Sequence, residues 1–232
     1  MNITVIMGTS ARGCTFAMKE QFLSSVGSGH AVTEFVLPDA CPMFCTGCKA
    51  CFHKDISVCP HAEYTVPIWD SILAADLLVF CVPTYVFHAP AQVKALLDHF
   101  GKKWMVHSPD KEMFSKQAVI ITNAIGQGMG KTVKDIKDSL DFWGVARTYS
   151  ITQALFQADW KLVSDKRKAA IKRKCDRVAK RVTSAKKVKP RLKIRGLFFV
   201  MKIAQKMINK SELKAGRQST ADYIYWKEQG WL

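Results

Sequence analysis

No window of the 232-residue chain reaches the ~18 uninterrupted apolar residues of a membrane-spanning helix, so no spanning helix is expected. The opening run Met1–Met7 lacks a basic n-region and a small-residue cleavage site, and reads as a strand and not a secretion signal. A cytoplasmic protein is expected, where thiols stay reduced. The first glycine loop, Gly8–Thr15, is not G-x-x-x-x-G-K-[ST], which speaks against a P-loop ATPase, and it is not G-x-G-x-x-G. No obvious dyad of catalytic side chains stands out. Acidic residues are scarce at one end: residues 161–232 hold 5 Asp+Glu against 22 Lys+Arg, whereas residues 1–160 hold 14 against 13. The excess charge therefore belongs to the tail. The body is neutral, and with no recognisable reading module a nucleic-acid binder is not expected.

Cysteine is the residue in surplus. Four of the eight fall in Cys45-Thr46-Gly47-Cys48-Lys49-Ala50-Cys51 and Cys59, spaced C-x2-C-x2-C-x7-C. Thiolates crowded this closely can share a metal centre, and iron–sulfur clusters are held by such runs. Cys14, Cys41, Cys81 and Cys175 need no special role; Cys81 ends an apolar strand and is expected in the core. The histidines are scattered, and only His88 stands beside a loop of interest.

Apolar periodicity predicts strands at 3–7, 31–37, 77–82, 117–122 and 147–152. Helices are predicted at 16–26, 64–75, 90–100, from the third glycine loop to about 143, and at 165–186. The alternation favours an α/β doubly wound parallel sheet over 1–188, with a helical basic C-terminal extension over 189–232. In such sheets ligands bind beyond the carboxyl ends of the strands. Three post-strand loops concentrate small, polar and aromatic residues. Loop one, Thr9–Thr15, leads into a helix start, where backbone N–H groups and the helix dipole suit a phosphate. Loop two, Pro83–Pro90, follows the strongest strand, and its aromatic residues suit the flank of a planar ring. Loop three, Asn123–Gly130, has three glycines that permit close backbone approach. Together they suggest a flavin-sized site.

These residues also carry a family resemblance over roughly residues 1–160. Gly8–Thr15, Cys45–Cys59, Ala75-Asp76, Pro83-Thr84-Tyr85 and Gln92-Val93-Lys94-Ala95-Leu96-Leu97-Asp98 resemble the flavodoxin-like NAD(P)H-dependent FMN reductases, in particular the C-x-G-C-x-x-C branch that includes the iron–sulfur flavoproteins. The resemblance implies a five-stranded flavodoxin-like sheet, bound FMN, NAD(P)H as co-substrate and a homodimer or homotetramer. It implies that Thr9, Ser10, Arg12, Gly13, Cys14 and Thr15 hold the FMN phosphate. Pro83, Thr84, Tyr85, Val86 and Phe87 would border the isoalloxazine ring, and Asn123, Gly126, Gln127 and Gly128 would close its other edge. Two departures stand out: loop one lacks the family's proline and is one residue short, and Pro60-His61-Ala62 replaces an acidic pair.

Three readings of Cys45, Cys48, Cys51 and Cys59 stay open: a [4Fe–4S] cluster, a family loop that packs without one, and a zinc site. The expected activity is electron transfer from nicotinamide, through FMN, to a quinone, flavin, dye or protein acceptor. The alternative is a flavodoxin-like or iron–sulfur carrier without turnover. In the extension, residues 195–210 place apolar side chains at helical spacing opposite lysines. Such a stripe packs on another subunit or lies on an anionic membrane surface, and the first is favoured. Tyr223–Leu232 is too aromatic to hang free and is expected to dock, near the flavin of a partner chain.

Overall fold

The computed structural model describes residues 1–184 and 188–232. Its element order is β1 Asn2–Met7, α1 Cys14–Val26, β2 Ala31–Val36, α2 Ala50–His53, α3 Ala62–Ala74, β3 Leu77–Cys81, α4 Ala91–His99, β4 Gln117–Ala124, α5 Met129–Trp143, β5 Arg147–Ala154, α6 Asp165–Thr183, α7 Leu192–Lys214 and α8 Ala221–Glu228. The five strands form one sheet in the order β2-β1-β3-β4-β5, and every pairing is parallel. This is the flavodoxin-like doubly wound order, with its reversal between β1 and β3.

The burial of each strand follows its place. β3 is central and covered on both faces, so all five of its residues are apolar and buried. β2 is an edge strand and is mostly exposed. Its Glu34 receives the buried ammonium of Lys19 at 2.7 Å, which supplies that cation with a partner. One face of the sheet packs against α3, α4 and α5 around Trp69, Phe80, Phe100 and Trp143. The other packs against α1 and α6 around Met18, Phe22, Ile171 and Cys175. Cys81 is buried in that second core, as expected.

Several boundaries differ from the sequence reading. β4 and β5 each run two residues further than expected, because Asn123 pairs with Gln153 and Ala124 with Ala154. Asn123 is thus a strand residue and not a loop residue. α7 is longer at both ends than the 195–210 stripe, with Gly196 carried inside it. α6 ends at Thr183; the expected helical residues 185 and 186 lie outside the described residues. No described helix is long and apolar enough to cross a membrane.

The extension folds back on its own chain. Asp141 of α5 is buried and receives Lys137 and, at 2.6 Å, Lys193 of α7. Trp226 of α8 is fully buried; its ring stacks on Phe198 and its Nε1 donates to the His107 carbonyl at 2.8 Å. Tyr225 Oη donates to the Pro109 carbonyl at 2.8 Å, and Asp222 accepts from Lys102 and His107, each at 2.7 Å. The aromatic tail docks, as expected, and the surface it docks on is residues 102–110 of its own chain. Those residues supply two carbonyls, the Lys102 ammonium and the His107 ring nitrogen, which match its donors and carboxylate.

Candidate functional site

Loop one leaves β1 at Gly8, whose N–H bonds the Cys81 carbonyl at 2.8 Å. A Cβ at Gly8 would stand 2.8 Å from Val93 Cγ2, so only glycine lets β1 pass this close to α4. The Gly8 carbonyl accepts from Gln92 Nε2 at 2.8 Å. α1 then starts with no side-chain cap and no acidic residue in its first turn. Its leading N–H groups have no intrahelical partner, and with the helix dipole they suit an anion. Thr9 and Ser10 lie on that loop; the Thr9 hydroxyl accepts from the Ala11 N–H at 3.2 Å.

Two residues expected at the phosphate point elsewhere. The Arg12 guanidinium lies over the Phe16 ring at 5.1 Å. The Cys14 thiol is buried and donates to the Ala158 carbonyl at 3.3 Å; burial, then the charge of Asp159, push its pKa up. Cys14 is therefore a neutral tether to the loop after β5, and only its backbone N–H faces the expected anion site. Thr15 is buried and its hydroxyl donates to Asn123 Oδ1, which ties the start of α1, just after loop one, to the end of β4, just before loop three.

Loop two begins with Pro83 and Thr84. Thr84 N–H bonds the Asn123 carbonyl at 3.0 Å, and its hydroxyl meets Thr122 at 3.1 Å and Thr132 at 2.9 Å. Tyr85 and His88 pair across a two-residue turn whose central residues, Val86 and Phe87, both have positive φ (47° and 68°). This turn lifts three apolar side chains into solvent: Val86 is 92% exposed, Tyr85 48% and Phe87 47%. His88 pairs with Asp135 of α5 at 3.0 Å, which holds the far side of the turn.

Loop three meets loop two at Gly128, with φ of 99°. A Cβ there would stand 2.7 Å from Phe87 Cδ1. Gly126 and Gln127 complete the bend between β4 and α5, with the exposed Ile125 beside them. Sequence reasoning missed a fourth loop at this rim. After β5, Phe156 has φ of 57°, is exposed, and donates its N–H to the Ile125 carbonyl at 2.8 Å. Its only signal was its place after a strand. The rim thus gathers capless helix N–H groups, threonine hydroxyls, and the exposed rings of Tyr85, Phe87 and Phe156. A cavity of about 760 Å³ lies away from this rim, between α7 and the body, and is lined mainly by apolar residues such as Phe114, Ile194, Phe198 and Trp231.

Cys45, Cys48, Cys51 and Cys59 line one small cavity of about 50 Å³. Cys45 and Cys48 are exposed; Cys51 and Cys59 are half-buried. Burial, then the neighbouring thiols of Cys59 and Cys45, push the Cys51 thiol up. The same cavity is lined by His61 and His99, which the sequence separates by 38 positions and treats as scattered.

Residues 1–160 match the family described as NADPH-dependent FMN reductase. Solved structures with the same fold include an azoreductase from Bacillus anthracis str. Sterne, 15% identical, covering 80% of this chain and 100% of that one with a TM-score of 0.59. Another is the NAD(P)H:quinone oxidoreductase from Methanothermobacter marburgensis, 14% identical, covering 80% and 98% with a TM-score of 0.60. A third is an FMN-dependent NADH-azoreductase from Bacillus anthracis str. Ames Ancestor in complex with FMN, 13% identical, covering 79% and 99% with a TM-score of 0.59. No curated protein matches the chain by sequence. The match over 1–160, on a sheet of this order, makes the chain a member of the NADPH-dependent FMN reductase family and an oxidoreductase.

Proposed function

We propose that the rim formed by the loops after β1, β3, β4 and β5 holds FMN and that the protein passes a hydride equivalent from NAD(P)H to a small planar acceptor such as a quinone, a free flavin or a dye. The observation that supports this reading is the Thr15–Asn123 hydrogen bond, which ties the start of α1 after loop one to the end of β4 before loop three; the Phe87–Gly128 contact adds loop two beside them. The residues fit the group. The capless start of α1, with Thr9, Ser10 and Gly13, suits a phosphate. The left-handed Gly128 keeps backbone where a side chain would intrude. When bound, FMN supplies the hydride chemistry, and the protein binds, orients and tunes it.

The chain's own residues have three tasks in this reading. Backbone N–H groups of residues 13–15 and the hydroxyls of loop one bind the anionic end. Thr84, fixed by Thr122 and Thr132, orders the turn that borders the ring. The exposed apolar side chains of Tyr85, Val86, Phe87, Ile125 and Phe156 offer a surface to a flat acceptor and exclude water from it. In this reading no side chain has to move a proton. The reading needs no iron–sulfur cluster.

The proposal extends to a homodimer or homotetramer. α7 turns Leu192, Phe199, Val200, Ile203, Met207 and Ile208 to solvent, an apolar row that a second copy would cover. The test of function is titration of the purified chain with FMN, followed by steady-state oxidation of NADH and NADPH with quinone, dye or FMN as acceptor. Saturable flavin binding and turnover are expected. Bound flavin without turnover would favour an electron carrier, and no binding would remove the flavin reading.

A further inference from the structure

Among the described residues, Cys59, His61 and His99 form one group of metal-ligating side chains whose donor atoms lie within 4.8 Å of one another. Their orientation is already set. His99 ends α4 and is 5% exposed. Its Nδ1 lies 2.8 Å from the Ala95 carbonyl, one turn earlier. A carbonyl only accepts, so Nδ1 carries the proton and Nε2 presents a lone pair. That lone pair faces His61 Nδ1 at 3.0 Å. An imidazole pinned through one nitrogen by a backbone carbonyl is the usual way a protein offers the other nitrogen to a metal. His61 precedes α3, and its N–H points at Cys59 Sγ, 3.4 Å away.

The spacing suits a tetrahedral ion. With metal–ligand bonds of about 2.0–2.3 Å, zinc sets N···N and N···S separations of about 3.3–3.6 Å. The two imidazoles stand a few tenths of an ångström inside that, a gap that a small rotation of the half-buried His61 ring closes. The fourth ligand would come from the thiols that line the same cavity. Of Cys45, Cys48 and Cys51, only Cys51, on α2, is half-buried and packs against the core, whereas Cys45 and Cys48 are exposed. A hydrogen-bonded histidine pair by itself requires none of these thiols.

We propose that Cys51, Cys59, His61 and His99 form a Cys2His2 site for a borderline-soft divalent cation, with Zn²⁺ the best fit. Two buried or half-buried imidazoles with two thiolates are a zinc donor set; an iron–sulfur cluster held by the C-x2-C-x2-C run would use Cys45 and Cys48 instead. Binding converts Zn²⁺, two thiols and two neutral imidazoles into the complex and two released protons. The proton on His61 Nδ1 moves to its Nε2 and stays on the ring, and no electron is transferred. The ion would clamp residues 51–61 to the C-terminal end of α4. The other end of α4 carries Gln92, which holds the Gly8 carbonyl of loop one.

The full chain, reduced and freed of metal without oxygen, is titrated with Co²⁺ and then Zn²⁺. One equivalent of Co²⁺ should give the intense visible bands of a tetrahedral ion and a sulfur-to-metal charge-transfer band, with Zn²⁺ displacing it and two protons released per zinc. Cys59→Ser, His61→Ala and His99→Ala should each lower affinity by more than the ~10–100-fold that loss of a supporting partner costs. Cys45→Ser and Cys48→Ser should leave it unchanged. Circular dichroism reports whether each variant folds, and His61→Ala, at a half-buried position, serves if His99→Ala does not. The inference is overturned if Co²⁺ gives no tetrahedral spectrum. It is equally overturned if the protein purifies with iron and sulfide that Cys45→Ser and Cys48→Ser remove and the histidine variants retain.

Discussion

At the scale of single residues, the rim depends on Gly128 and Thr15. Gly128 holds φ of 99°, and any Cβ would enter the Phe87 ring and approach its Cα at 2.9 Å. Left-handed backbone costs a non-glycine residue roughly 1–2 kcal/mol before the clash is counted. Gly128→Ala should therefore lower the melting temperature and weaken FMN binding together, because relief of the clash displaces the 85–88 turn. Unchanged affinity in a fluorescence titration would detach this turn from the flavin. Thr15→Val removes the side-chain hydrogen bond that ties α1 to β4 at the rim, at a cost of about 1 kcal/mol. Its effect on flavin affinity should exceed its effect on stability, since Thr15 sits where two loops must converge on one ligand.

At the scale of elements, α8 is a clasp. Trp226 fills a fully buried place against Phe198 and Trp231, and its indole nitrogen is satisfied by His107. Trp226→Ala should cost about 3–5 kcal/mol in denaturant unfolding. The clasp also has a pH limit. Burial pushes the Asp222 carboxyl up, but the hydrogen bonds and charges of His107 and Lys102 overcome this and hold it below the ordinary carboxylate range. A depressed folded value means that stability is present above the unfolded value, near pH 4, and is lost as pH falls through the folded one. Asp222→Asn should flatten that acid limb and lower stability at neutral pH. An acid-unfolding curve identical to that of the parent would assign the limb to other carboxylates.

At the scale of the whole molecule, positive charge gathers in the last third of the chain, and an apolar row lies along α7. Residues 161–232 hold the positive excess, and α7 exposes Phe199 at 62% and Met207 at 67% on one outward row. If a second copy covers that row, Phe199→Glu with Met207→Glu should convert the oligomer to monomers in sedimentation while circular dichroism stays unchanged. Parent chain that sediments as a monomer and floats with anionic vesicles would assign the row to a lipid surface instead. Removing residues 192–232 is a poorer probe, because it also uncovers Phe114 and the 102–110 segment that α8 covers.

The order of the five strands and of α1, α3, α4, α5, α6 and α7 was legible in the chain because each of these elements announces itself locally, whereas the short α2 and α8 carry no periodic run long enough to read. An apolar run such as Leu77–Cys81 between breakers is a buried strand wherever it stands, and the spacing of Val93, Leu96, Leu97 and Phe100 is a helix face. The polar and glycine loops after β1, β3 and β4 were legible for the same reason, as was the cysteine spacing. Tertiary structure alone decided what meets across the chain. It carried Thr15 to Asn123, turned Cys14 to Ala158, added Phe156 to the rim, laid Trp226 on His107 of its own chain, and brought His61 to His99. None of these pairs has a local signature: periodicity reports which face of an element is buried, whereas the partner on that face is chosen by how the sheet's crossovers pack.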